Sequence, residues 1–231
     1  MKTVFVTGTN RGLGLGFVDH LLKENYRVLA TCRDLNQAPE LRRLQRQFPE
    51  SLEVFEVDLL TKDFVDRIKS VLRNRAIDIF INNAGAMGPK NQDFQSISLN
   101  PWVAIMHVNV MAPLLIAQSI VSNLVLGHDK KMFFLSSRVG SISENTGGGR
   151  YIYRSSKSAL NQVVKSLSID LLSQEISAVA LHPGWVLTDM GGPNALVTVD
   201  ESIRGMIKVI ERVSLNDSGK FFNYDGKEIS W

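Results

Sequence analysis

Seven short runs of apolar and β-prone residues, TVFVTG, RVLATC, LEVFEVD, IDIFINNAG, KMFFLSS, SAVALHPG and KFFNYDG, recur along the chain with longer helical patterns between them. Most of these runs are continuously apolar rather than alternating, as strands covered on both faces must be. Strands and helices in alternation read as an α/β protein, a doubly wound seven-stranded parallel sheet with helices on both faces. The spacing predicts helices over 12–24, 38–48, 61–73, 101–126, 151–172 and 200–212. Pro101 suits a first helical position with Asn100 or Ser98 as cap, and Pro113 should kink or break the helix that contains it. No repeat, low-complexity tract or linker divides the sequence, so residues 1–231 read as one domain with an integral substrate site.

The charge pattern narrows the partners. A net charge of +3 is small for 231 residues, and the basic residues are scattered apart from the Arg42-Arg43 and Lys130-Lys131 pairs. Neither a nucleic acid nor a membrane surface is expected to bind such a chain. The apolar run APLLIAQSIVSNLVLG is interrupted by Gln118, Ser119, Ser122 and Asn123, which reads as a core helix rather than a bilayer span. The single cysteine, Cys32, has no intramolecular partner, and the first residues show no signal-peptide pattern, so a reducing, cytoplasmic setting is expected.

The segment VTGTNRGLGLG closes the first strand and opens the first helix, the place where a doubly wound fold holds a dinucleotide pyrophosphate against free backbone N–H groups. Gly8, Gly12 and Gly14 are spaced G-x-x-x-G-x-G, and a Cβ there would block the turn or the approach of phosphates. The end of the second strand, RVLATCRD, selects the cofactor, because a carboxylate there accepts from a ribose 2′-hydroxyl while a guanidinium accommodates a 2′-phosphate. Arg33 stands at that end and Arg11 lies in the glycine loop, while Asp34 is a rival acid that lies past Arg33 and suits the start of the next turn equally well. NADP(H) is therefore expected in preference to NAD(H). Asp58, after the third strand, suits an acceptor for the adenine amino group or a helix cap.

Tyr153 and Lys157 in YIYRSSK lie about 40° apart on one helix face and about 6 Å apart along it. A phenol with a pKa of about 10 needs a neighbouring cation to act near neutral pH. At about 4 to 5 Å and an effective dielectric near 20, one unit charge is worth about 3 to 4 kcal/mol, so Lys157 would pull the phenol towards the working range. Ser136 and Ser137 end a strand in FFLSSRVG, INNAG ends another, and LHPGWVLTDM offers Pro183 and Gly184 where a flat ring could approach closely. His107 and His182 lack partners at metal-binding spacing and Cys32 reads as a small buried side chain, so no metal is expected.

Six segments together resemble the short-chain dehydrogenase/reductase family in its single-domain, Rossmann-fold form: T-G-x-x-x-G-x-G at 7–14, N-N-A-G at 82–85, Asn109 in HVNVMAP, S-x-x-G at 137–140, Y-x-x-x-K at 153–157 and P-G-x-x-x-T at 183–188. The wording of NRGLGLG, TCRD and LHPGWVLTDMGG is closest to sniffer-like carbonyl reductases and C-factor-like proteins. The resemblance implies an NADP(H)-dependent oxidoreductase acting on a small-molecule carbonyl or alcohol, with a non-catalytic signalling protein of C-factor type as the alternative. It implies a tetrad of Asn109, Ser137, Tyr153 and Lys157: Tyr153 donates the proton, Ser137 holds the carbonyl, Lys157 binds the nicotinamide ribose and lowers the Tyr153 pKa, and Asn109 holds a relay water. It also implies a cofactor site made by Gly8, Asn10, Arg11, Gly12, Leu13, Gly14, Arg33, Asp58, Leu59, Asn83, Ala84, Gly85, Tyr153, Lys157, Pro183, Gly184, Val186 and Thr188. A homodimer or homotetramer built on the helices at 101–126 and 151–172 is a further expectation.

The chain departs from the family pattern in two segments. SISENTGGGRYIY lengthens the stretch between Gly140 and Tyr153, and DMGGPNALVTVD is short for a substrate lid. An open pocket lined by Ala86, Met87, Trp185 and Met190, with Tyr151 on its wall, is the expected consequence.

Overall fold

The computed structural model describes residues Met1–Trp231. Seven parallel strands, β1 (Thr3–Thr7), β2 (Arg27–Cys32), β3 (Leu52–Glu56), β4 (Ile79–Asn82), β5 (Lys131–Leu135), β6 (Ser177–His182) and β7 (Phe221–Asn223), form one sheet in the order β3-β2-β1-β4-β5-β6-β7. The order reverses between β1 and β4, whose register pairs Val4 with Ile79 and Val6 with Ile81. At such a switch point the chain leaves neighbouring strands towards opposite faces, and a crevice opens beyond their carboxyl ends.

Helices cover both faces, as the apolar strands require. On one face α1 (Gly12–Lys23), α2 (Pro39–Gln47) and α7 (Val199–Arg212) pack over a core that includes Val4, Val6, Phe17, Leu21, Leu41, Phe133 and Ile207. On the other, α3 (Phe64–Leu72), α4 (Leu99–Met106), α5 (Ala112–Val125) and α6 (Tyr151–Asp170) flank the sheet, with a second core built from residues that include Phe5, Phe80, Ile116, Ile120, Phe134, Leu160 and Val164. Strand residues of alternating number feed the two cores, so Val4 and Val6 face one and Phe5 the other. This is the period-two geometry of a strand serving two faces at once.

The expected helices all form, with every end within three residues of expectation. Two details differ. α4 starts at Leu99, which puts Pro101 at the third helical position, still within the turn whose N–H groups lack partners, and Ser98 precedes it without a side-chain cap. The expected break at Pro113 takes the form of a π-helical turn over His107–Met111, in which the Ala112 N–H reaches back to the His107 carbonyl. Pro113 has no N–H to give the Asn109 carbonyl, and widening the preceding turn keeps the helix continuous while turning the fully buried Asn109 side chain inward. The run Leu99–Val125 is long and apolar enough to cross a bilayer, but Ile105, Ala112, Ile116, Ile120 and Leu124 on it are buried in the protein.

Candidate active site

A cleft of about 670 Å³ runs along the carboxyl edge of the sheet over the switch point. Its floor at one end is the glycine loop. Gly8 takes φ +70°, where a side chain is strained, and a Cβ on it would come within 2.8 Å of the Ala84 Cα. A Cβ on Gly14 would overlap the Gly8 carbonyl oxygen and sit 2.5 Å from the Asn83 amide nitrogen, so this glycine serves loop packing rather than ligand approach. Asn83 staples the loop from β4, donating through Nδ2 to the carbonyls of Thr7 at 3.0 Å and Gly8 at 2.8 Å. Arg11 precedes α1 in an extended conformation and gives no side-chain cap, leaving the first-turn N–H groups of Gly12 to Gly14 for an anion. The cradle therefore fits a dinucleotide pyrophosphate.

Arg33 stands exposed on the cleft wall and forms no ion pair. Asp34, the rival acid, is consumed in the turn, accepting from the Asn36 N–H at 2.8 Å and from Gln37 Nε2 at 2.9 Å. Arg11 pairs instead with Asp189, linking the glycine loop to the segment after β6 across the cleft mouth. Asp58 accepts from the Leu60 N–H at 3.0 Å through Oδ1, so it shapes the turn after β3 and keeps its second oxygen for the cleft.

At the other end stand Tyr153 and Lys157, on the first two turns of α6. Lys157 is buried, and its Nζ donates to the Leu135 carbonyl at 2.8 Å, where β5 ends. Burial pushes its ammonium down to about 8. Burial likewise pushes the Tyr153 phenol up to about 12, while Ser137, and Arg150 more weakly, act against that rise. The expected lowering of the phenol by Lys157 does not occur in this arrangement. Nζ lies 5.8 Å from the Tyr153 ring centroid, over the ring face, with one of its three N–H donors on β5, and desolvation outweighs the opposing effects of Ser137 and Arg150 on the phenol.

The remaining members of the constellation are fixed by contacts of their own. Ser136 reaches the cleft lining but its buried hydroxyl donates to Asn161 Oδ1 at 2.5 Å, whereas Ser137, outside that lining, is the serine that acts on the Tyr153 phenol. Gly140 is tight against α6, where a Cβ would lie 2.7 Å from that of Lys157. Asn109 pairs with Ala86 in both directions, accepting from its N–H and donating to its carbonyl, each at 2.8 Å, and Nδ2 also lies 3.0 Å from Ser156 Oγ. Both Nδ2 donors are used in these contacts, so the side chain can take a water only at the second lone pair of Oδ1.

Of the expected cofactor residues, all but Gly184 and Val186 line the cleft. Val186 is buried and bridges to Val197, and Gly184, at φ +86°, packs on the Tyr224 ring, so both support the wall from behind. Ala86 and Met190 line the cleft, whereas Trp185 stands outside it with its indole N–H on the Gly191 carbonyl at 2.7 Å. Met87 and Tyr151 are likewise outside the lining; Tyr151 pairs with Phe94 at 6.0 Å between ring centroids. Thr31, Val57, Leu60, Val108, Leu187 and Asp189 also line the cleft and were not anticipated, since nothing in their local spacing marks residues that only the switch point brings together. Cys32 is buried with its thiol pushed up to about 11, chiefly by desolvation. His107 bonds the Leu59 carbonyl at 2.8 Å, and burial pushes His182 down to about 4; no group of three or more His, Cys, Asp or Glu side chains forms around either.

A sequence profile of the short chain dehydrogenase family matches residues 2–196. The carbonyl reductase Sniffer of D. melanogaster superposes with a TM-score of 0.93 at 35% identity, covering all of both chains. The NADPH-bound carbonyl reductase from chicken fatty liver superposes with a TM-score of 0.93 at 36% identity, covering all of this chain and 99% of the other. The C-signal protein of Myxococcus xanthus is 39% identical over 155 residues, 67% of this chain and 93% of that one.

A buried ammonium opposes folding while it carries its charge. In the window between about 8 and 10.5 the unfolded chain holds a proton on Lys157 that the folded chain has released, so stability rises with pH there. Lys157→Met removes a cost on the order of 3 kcal/mol at pH 7. Thermal melting should show the variant at least as stable as wild type at pH 7, with the difference shrinking as pH rises through that window. A variant markedly less stable at pH 7 contradicts the assignment.

Proposed function

Because the chain belongs to the short-chain dehydrogenase family, we propose that it is an NADP(H)-dependent carbonyl reductase acting on small or hydrophobic aldehydes and ketones. The observation that carries this reading is the burial of Lys157 and Tyr153 side by side at the cleft end. Burying a lysine and a phenol costs stability and serves no packing need that apolar residues would not meet better. A signalling protein that only bound a nucleotide, the alternative raised by the likeness to C-signal, would have no use for that cost.

Bound in the cleft, the nicotinamide supplies the hydride. Tyr153 gives its phenolic proton to the carbonyl oxygen, and Ser137 donates to the same oxygen and holds it in line. The raised phenol stays protonated across the neutral range, which favours reduction over alcohol oxidation. Lys157, with two N–H donors left beside the Leu135 bond, would hold the ribose hydroxyls and support the phenolate of Tyr153. The Asn109 backbone carbonyl, which Pro113 leaves without an α-helical donor, would hold the water that returns a proton towards Lys157. Arg33 takes the 2′-phosphate, with Arg11 exchanging Asp189 for the same anion. The likeness to the chicken reductase solved with NADPH supports this choice of cofactor.

The family reading is tested by following NADPH oxidation across a panel of carbonyls. Wild type should turn over, with a rate flat from about pH 6 to 7.5 and falling above about 8 as Lys157 loses its proton. Tyr153→Phe should lose 100-fold or more while still binding NADPH. No turnover on any carbonyl with cofactor bound contradicts the proposal. Arg33→Ser should weaken NADPH binding by about 10- to 100-fold and leave NADH binding unchanged, read by titration calorimetry. An equal loss for both cofactors removes the 2′-phosphate assignment.

Leu99, Val103, Met111, Leu114 and Leu115 expose apolar side chains along α4, the π turn and α5. We assign them to a homodimer or homotetramer face. Light scattering should then give a multiple of the 25.7 kDa chain mass, and a monomer at micromolar concentration contradicts it.

A further inference from the structure

Tyr153 lies in the first turn of α6, and α6 has a weak beginning. Arg150 precedes it in the left-handed region at φ 50° and ψ 39°, with no side-chain cap. The chain before Arg150 is Gly147-Gly148-Gly149, with φ +59° and +62° at the last two, and a Cβ at either would meet nothing within 4 Å. A helix start approached through three glycines, without a cap of its own, is free to fray. The reacting hydroxyl needs the opposite, since a misplacement of about 1 Å can cost about 100-fold in rate.

The missing cap comes from another part of the chain. Gln92 is buried at 4% exposure within residues 83–98, a stretch without helix or strand. Its Oε1 accepts the Tyr153 N–H at 2.8 Å, and its backbone carbonyl accepts the Tyr151 N–H at 3.2 Å. Its Nε2 donates to the carbonyls of Met87 and Pro89, both at 2.8 Å. The two sides ask for opposite groups, donors towards the loop and an acceptor towards the helix, and a neutral carboxamide supplies both from one planar group. A glutamate has no donor for the loop carbonyls, and a lysine or arginine has no acceptor for the helix. Phe94 of the same loop packs against Tyr151, and Trp102 Nε1, on α4 just beyond it, donates to Ser155 Oγ at 3.1 Å.

We propose that Gln92 is the positioning residue for Tyr153, capping α6 from the loop after β4 and fixing at one point the proton donor and that loop. The assignment of a reaction to Tyr153 rests on the reductase reading, whereas the clamp itself does not. The same contact ties the loop's conformation to the donor, so a substrate that moves residues 87–92 also moves Tyr153.

The test uses the full-length protein with Gln92→Leu and Gln92→Glu. Gln92→Leu should lower kcat by about 10- to 100-fold, with the Kd for NADPH within twofold of wild type. Hydrogen exchange at the Tyr153 amide should speed up at least tenfold, while the β5 amides stay as they are. A purely structural glutamine would leave kcat per NADPH-binding site unchanged, and kcat within twofold overturns the proposal, as does unaltered exchange at Tyr153. Should Gln92→Leu not fold, Gln92→Glu carries the test. It keeps the acceptor for Tyr153 and loses the loop donors, so kcat should fall about tenfold, and a value within twofold of wild type overturns the clamp. If wild type turns over no carbonyl, the reductase reading fails, and exchange at Tyr153 alone then decides the clamp.

Discussion

A lysine ammonium held inside the protein against the last carbonyl of β5 sets the terms for this fold's functional edge. Lys157 reaches the Leu135 carbonyl only because α6 packs directly on the sheet, and α6 can come that close because Gly140 gives it room. The cavity that buries Lys157 also buries Tyr153, and one desolvation moves the two groups apart, the cation down to about 8 and the phenol up to about 12. Two titratable groups whose environments separate their protonation states are the usual mark of an acid–base pair. Here the separation leaves a neutral phenol as the donor beside a cation that deprotonates at mildly alkaline pH.

The rest of the cleft depends on stapling rather than on regular structure. The glycine loop is held by the Asn83 amide, the segment after it by the reciprocal bonds of Asn109 to Ala86, and its continuation by Gln92. In each case a side-chain amide satisfies backbone groups that a loop cannot satisfy for itself. The three staples share the segment after β4, so the cofactor end and the proton-donor end of the cleft hang from one stretch of chain.

The fold was legible because its strands are apolar on both faces and its helices periodic, a pattern that local chemistry writes into consecutive residues. Pro113 was legible as a disturbance but not as a π turn, because whether a helix kinks, breaks or widens is decided by what Asn109 finds on the other side. Glycine loop, Tyr153 and Lys157 were readable from spacing along single elements. The direction of the Tyr153 shift was not: spacing gives the distance to a cation, but burial sets the larger effect and belongs to the tertiary structure. Gln92 was invisible for a related reason. A lone glutamine in an irregular segment has no periodicity, and its partners at Met87, Pro89 and Tyr153 become neighbours only once β4 and α6 are in place. Gly184 and Val186 stand at positions that match a motif, and the structure sets them outside the cleft lining, against Tyr224 and Val197.

The central claim is that burial separates the protonation states of Tyr153 and Lys157. The most direct test labels lysine side chains with ¹³C and follows the Lys157 Cε resonance through a pH titration, assigned by its loss in Lys157→Met. The account predicts a midpoint near 8. A midpoint at the ordinary lysine value of about 10.5 would show an ammonium that feels no desolvation, and would contradict the account at its base.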